Sequence, residues 1–198
     1  MTLNEYRALF IATIMVLILI VASPILAFVL PSLKGEGFSE LWILGPDHMI
    51  ESYPFNIRHN ETYKIFVGVG NYFGSSSYYL VSVKFRNQTE PSPNSTGVAP
   101  SPLPSLYEYR LFIRDNGIWE EPLTFSFSQV SFSESRSLVE TLAINNMTFI
   151  VDKLAIWDSE NAGYYYQLFI ELWIYNIESD SFQFHNRSVW IWLNVTSP

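Results

Sequence analysis

From Ala8 to Leu33 the chain runs for 26 consecutive residues without a charge. The hydrocarbon core of a bilayer is about 30 Å thick, and a helix needs roughly 20 apolar residues to cross it. The middle of the run, Ile11 to Val21, is almost entirely β-branched residues and leucine. In lipid such a sequence hides its backbone polar groups inside a helix. The expectation is a tail over 1–7, one transmembrane helix over 8–33, and an extracytoplasmic domain over 34–198. Pro24 would kink the last turns and Pro31 would end the helix. Arg7 and the amino terminus precede the run, whereas Lys34, Glu36 and Glu40 follow it. That balance and the short tail predict a cytoplasmic N-terminus and an extracellular C-terminal domain at the cell membrane. A cleaved signal peptide would have a shorter apolar stretch, about 7–15 residues, and no A-x-A site precedes Phe28.

Beyond the run, six N-x-Ser/Thr sequons begin at Asn60, Asn87, Asn94, Asn146, Asn186 and Asn194. Chance placement would give about two of this pattern. Asn60 precedes a predicted strand, Asn87 follows one, Asn94 sits among prolines, and Asn146 and Asn186 lie between apolar runs. These are places where a glycan can reach solvent. All six are glycosylation candidates.

The formal net charge is −8. Without a basic patch, nucleic acid is not expected as a partner. The chain has no cysteine, which removes disulfides, zinc–thiolate sites and cysteine nucleophiles. A glycosylated, cysteine-free domain on a single anchor suits an archaeal surface. Stability must come from a packed core, for which the 17% of aromatic residues provide large side chains.

The dominant period after residue 38 is two, the signature of strands. Tyr63, Ile65, Val67 and Val69 share one face, as do Tyr79, Val81, Val83 and Phe85, with Gly70-Asn71 and Gly74-Ser75 punctuating the connection. Leu123, Phe125 and Phe127 form another row, Tyr164 to Ile174 a long one, and Val189, Ile191, Leu193 and Val195 the last. Shorter strands are predicted at Glu40–Leu44, Tyr107–Ile113, Thr148–Val151 and Leu154–Trp157. Ser135–Ile144 fits a short helix or a strand. About nine short strands predict a mainly β fold, an immunoglobulin-like β-sandwich, with a closed barrel as the alternative. Residues 90–105, with five prolines, predict an extended, solvated loop inserted in the sandwich; a linker between two small domains is the competing reading.

The chemistry-bearing residues form no recognisable catalytic constellation. His48, His59 and His185 lack ligand spacing. No G-x-S-x-G, P-loop or H-E-x-x-H is present. Asp158-Ser159-Glu160-Asn161 reads as a polar turn rather than a calcium loop. Glu120 and Glu121, adjacent on a strand, point to opposite faces and make a poor carboxylate pair. No catalytic residue, metal or cofactor is therefore expected. The unusual feature is aromatic. If Ile191 and Leu193 face the core, Trp190, Trp192 and Asn194 face away, as do Phe169, Trp173 and Tyr175. Sandwich strands normally carry polar residues there. A covering second layer, a protein interface or a sugar-stacking platform would each explain it, which makes Trp173, Trp190 and Trp192 candidate interface residues. A glycan on Asn194 would require any cover to be incomplete.

Several stretches resemble the extracytoplasmic part of the archaeal domain of unknown function 1616: Glu40-Leu-Trp-Ile-Leu-Gly-Pro46 followed by Tyr53-Pro54, Val67-Gly-Val-Gly-Asn71, Trp119-Glu-Glu-Pro-Leu-Thr-Phe125, Phe169 to Asn176, His185-Asn-Arg187 and Trp192 to Thr196. The resemblance covers most of residues 38–196. It implies a membrane protein with a β-sandwich ectodomain and brings no activity, cofactor or catalytic residue. Relatives often carry several membrane helices before this domain, whereas one is read here. The leading expectation is a single-pass surface protein that binds or scaffolds another envelope component. A carbohydrate-binding or carbohydrate-processing protein, and a subunit of a surface lattice or filament, are the alternatives.

Overall fold

A computed structural model describes residues 3–29, 37–94 and 98–196. The chain divides into two compact units, Met1–Gly37 and Phe38–Pro198. In the first, α1 runs from Leu3 to Val29. Residues 30–33, the end of the expected membrane span, lie outside the described residues. Among the described residues no helix is long and apolar enough to cross a membrane.

The second unit is built from ten strands: β1 (Phe38–Leu44), β2 (Asn56–Ile57), β3 (Tyr63–Tyr72), β4 (Ser77–Asn87), β5 (Tyr107–Ile113), β6 (Gly117–Ser133), β7 (Arg136–Ile144), β8 (Met147–Ile156), β9 (Tyr165–Asn176) and β10 (Ser181–Val195). They form two five-stranded sheets, ordered β1-β3-β6-β7-β8 and β2-β10-β9-β4-β5. Pairing is antiparallel except between β2 and β10. In the immunoglobulin scheme one sheet holds strands A, B and E and the other C, F and G. Here β1, β3 and β6 take the first set of places and β4, β9 and β10 the second. The β7–β8 hairpin extends the first sheet where a D strand would lie.

The period-two rows meet between the sheets as expected of half-buried strands. Ile65, Val67, Val69, Val81, Val83, Leu123, Phe127, Ile170, Leu172 and Leu193 are fully buried there. Phe85 stacks on Tyr166 with ring centres 5.4 Å apart, and the Tyr166 hydroxyl donates to the Ser137 carbonyl at 2.7 Å.

Several local expectations change. Gly70-Asn71 does not interrupt β3. Asn71 is buried and ties the hairpin together: its amide donates to the carbonyls of Ser75 (2.8 Å) and Ile113 (2.9 Å), and its oxygen accepts from Tyr79 at 3.1 Å. The turn falls at Gly74, whose φ of 78° suits a residue without Cβ. Residues 135–144 contribute strand β7, closed onto β8 by Asn145-Asn146, both with positive φ (47° and 65°), as a type I′ turn requires. The two short strands read over 148–157 are one, β8. The described part of the proline-rich segment is not free in solvent throughout: Ser101 is buried, and its contacts pin the segment to the outer face of the second sheet.

Candidate binding site

The outer face of the second sheet carries a row of polar side chains that strand parity places away from the core: Ser82, Lys84 and Arg86 on β4, and Gln167 and Glu171 on β9. All five are buried. Lys84 Nζ lies 2.8 Å from Glu171 Oε2 and donates to the Ser101 carbonyl at 2.8 Å. The Ser101 N–H donates to Glu171 Oε1 at 2.6 Å. Arg86 donates to Gln167 at 2.6 Å and to the Glu90 carbonyl, and the Glu90 carboxylate pairs with Lys153. Residues 90–94 and 98–105 thus strap over β4 and β9. A buried charge is tolerable only when it is paired and hydrogen-bonded, and the strap backbone completes that pairing. Trp173 is half-buried beside it, with Lys84 Nζ 6.0 Å from its ring.

The strap does not cover β10. Trp190 is 55% exposed and Trp192 37%. The Arg86 guanidinium lies 5.3 Å from the Trp192 ring. Two adjoining depressions meet at Trp192 and Phe55. One, of about 610 Å³, is a groove between β10, β1 and the segment before β2, lined by Trp42, Ile43, Ile50 and Trp190 among others. The second, of about 470 Å³, is lined by Phe55, Gln88, Asp158, Asn161, Tyr165 and Trp192. Both have the size of ordinary ligand sites.

Asn194 shares the parity of Trp190 and Trp192 but not their exposure, a departure from the surface position read for it. It is 9% exposed. Its oxygen accepts from the Tyr164 N–H at 3.1 Å, and its amide donates to Asn56 at 3.3 Å. A Cβ on Gly163 would stand 2.4 Å from Asn194 Oδ1, so glycine permits this close approach. Asn60, Asn94 and Asn146 are exposed, and Asn186 is half-buried in the β10 bulge. The rest of the Asn94 sequon, residues 95 and 96, lies outside the described residues. Asn87, half-buried, uses its amide to bond the Leu154 carbonyl at 2.8 Å.

The remaining candidates are structural. Asp158 caps a turn, accepting from the Asn161 side-chain amide (2.8 Å) and from the N–H groups of Asn161 (3.1 Å) and Glu160 (2.9 Å); these bonds, the side-chain one first, hold its carboxyl below the usual range. Among the described residues no three metal-ligating side chains cluster. His59 bonds the Ser128 carbonyl at 2.8 Å. His185 Nε2 lies 3.0 Å from Ser39 Oγ, and burial, with Arg187 adding to it, pushes the imidazole below its usual value. Ser39 is buried and also bonds Tyr79 at 2.9 Å, so it is a link in a core network rather than an accessible nucleophile. On the first sheet Trp42 donates to Glu120 Oε2 at 3.0 Å, and His48 meets Glu120 Oε1 at 2.8 Å while stacking on Phe66. The Trp42 bond, then the His48 contacts, lower the Glu120 carboxyl against a partial burial effect. Trp42 lies so flat on Gly68 that a Cβ there would stand 2.1 Å from its indole.

Three of the sequence stretches singled out above therefore meet at one place: Trp42 from the first, Gly68 from the second and Glu120 from the third. The model for DUF1616, a domain of unknown function, matches residues 32–134, just over half of the chain and all three stretches. The chain belongs to the DUF1616 family. In this chain Trp42, Gly68 and Glu120 form one packing unit on the first sheet. No curated protein matches the chain. Solved structures similar to it include the CARDB domain of a Pyrococcus furiosus protein in complex with di-metal ions, at 8% identity and a TM-score of 0.40, over 81% of this chain and 90% of that one. A β-glucosidase from Listeria innocua in complex with isofagomine matches at 9% identity and a TM-score of 0.43, over 80% of this chain and 16% of the glucosidase. At these scores neither likeness bears on function.

Proposed function

We propose that the chain is a single-pass, N-glycosylated surface protein whose sandwich binds another envelope component through the Trp190–Trp192 face. The anchor rests on the uncharged run 8–33, and the outside location on the sequons. The binding role rests on one observation above all: two indoles stay exposed beside a groove, at the edge of a sheet face whose central strands β4 and β9 are strapped over. Exposed aromatic clusters at a depression are where binding energy concentrates. The test is retention of the detergent-solubilised full chain on an immobilised native envelope fraction. The wild type is retained, and the double variant Trp190→Ser/Trp192→Ser loses at least tenfold. Equal retention of the two contradicts the reading.

A second reading is favoured by the smaller depression, where Trp192, Phe55 and Tyr165 supply ring faces and Gln88 and Asn161 supply planar polar groups. That set suits a saccharide, stacked on one side and hydrogen-bonded on the other. Glycan-array binding lost on Trp192→Ala supports it, and an array without signal counts against it. A lattice subunit would instead assemble with rising concentration of the chain.

A further inference from the structure

β10 offers a main-chain edge as well as a pair of indoles. Along its continuous register from Arg187 to Asn194 it pairs on one side with β9. The Val195 N–H donates to the Tyr164 carbonyl at 3.0 Å, so odd-numbered main-chain groups point to β9. Even-numbered ones point the other way. There Asn194 N–H donates to the Phe55 carbonyl at 2.7 Å and Thr196 N–H to the Ile57 carbonyl at 3.0 Å. β2 supplies only the two residues Asn56–Ile57 to this edge, in parallel. Upstream of Phe55 the pairing stops. The main-chain groups of Ser188, Trp190 and Trp192 then face the 610 Å³ groove with no hydrogen-bond partner among the described residues. Across the groove β1 has a ladder only with β3, and its outer side is closed by side chains: Ile43 accepts from the Tyr53 hydroxyl at 2.9 Å and Ser39 from Arg187. Natural sheets usually block an edge like that of β10 with proline, lysine or a covering segment. Here the groove beside it stays open, lined by apolar and aromatic side chains with a proline, Pro54, at one end.

We propose that the groove takes an extended segment of another protein, which adds to β10 in line with β2 and carries alternating apolar and basic residues. The inference rests on the groove being the binding surface, and is independent of the anchor. Strand addition satisfies the unpaired row of main-chain groups, while pockets along it select alternate side chains. Apolar side chains of the segment would meet Ile43, Ile50 and Trp190. The sign of charge comes from the exposed Glu40 and Glu51, which adjoin the lining residues Leu41 and Ile50 in the chain. The cation at the border, Arg187, is turned onto the carbonyls of Ser39 (3.4 Å) and Asn186 (3.3 Å). A net charge of −8 steers a basic segment toward it.

The test is amide hydrogen exchange on the full chain in detergent micelles, with a nine-residue peptide alternating valine and lysine. In the free chain Val189, Ile191 and Leu193 amides are protected and Ser188, Trp190 and Trp192 exchange freely. The peptide is expected to slow those three by at least tenfold. Valine–glutamate peptide and a proline-interrupted valine–lysine peptide should leave them unchanged. Ser188→Pro removes one edge-facing N–H without touching the β9 ladder, and should weaken peptide binding at least fivefold with the fold intact by circular dichroism. Equal protection by the proline-interrupted peptide, or none by any peptide, overturns the inference. Protection that rises with chain concentration alone assigns the edge to a second copy and also overturns it. Loss of envelope retention in the double tryptophan variant, without strand addition, leaves the proposed function standing and the inference refuted.

Discussion

Glu171 is fully buried on the outer face of a sheet, and the reason is its pair with Lys84. Removing one member strands the other: Lys84→Met should cost about 3–5 kcal/mol, whereas Lys84→Met/Glu171→Leu should recover much of that loss. Denaturant midpoints of the single and double variants check this. Equal losses would mean the strap holds without the pair. Gly68 poses the opposite problem, since any Cβ must displace an indole already tied to Glu120. Gly68→Ala should therefore lower stability by about 1–3 kcal/mol, read as a fall in thermal midpoint.

At the scale of elements, parity made most strands legible. The rows of Ile65, Val81, Phe125, Ile170 and Leu193 all face the core, because a strand with one buried face cannot slip by a single residue without exposing every apolar side chain. The strap was not legible. Lys84, Arg86, Gln167 and Glu171 have the parity of outward polar residues, and a buried outward face looks the same in sequence as a wet one. Five prolines near it suggested solvent; nothing in their spacing announces that the Ser101 backbone caps a buried carboxylate. Trp190 and Trp192 were readable as outward aromatics, but Asn194, two residues further, was not readable as buried. Its cover comes from β2, a two-residue strand too short to leave a pattern, and from Gly163. If the strap is held as described, a protease site introduced at residue 98 should be cut readily while Ser101–Leu103 resists, a difference that limited proteolysis with mass detection reveals.

For the whole molecule, pH acts through groups whose titration differs between folded and unfolded chains. Burial pushes Tyr109 and Tyr166 up to about 12. The stability tied to keeping them neutral is present below the ordinary value of ~10 and is lost as pH rises through the folded value. Absorbance at 295 nm should show these tyrosines ionising only with alkaline unfolding. At the acid end, the lowered His185 and Glu120 act in one direction. The unfolded chain takes up a proton on the imidazole below about 6.5 and on the carboxyl below about 4.3, before the folded chain does. Stability should fall as pH drops through both windows, and His185→Gln should flatten the upper one. An unchanged melting temperature between pH 7 and 5 would contradict the burial of His185.

Glycopeptide mass spectrometry of the chain from its native source tests the proposed outside location and the fold together. Asn60 and Asn146 stand on exposed turns, whereas Asn194 is enclosed by Tyr164, Asn56 and Gly163. The predicted result is glycan mass on the peptides containing Asn60 and Asn146 and none on that containing Asn194. Bare asparagines at 60 and 146, or an occupied Asn194, would contradict it.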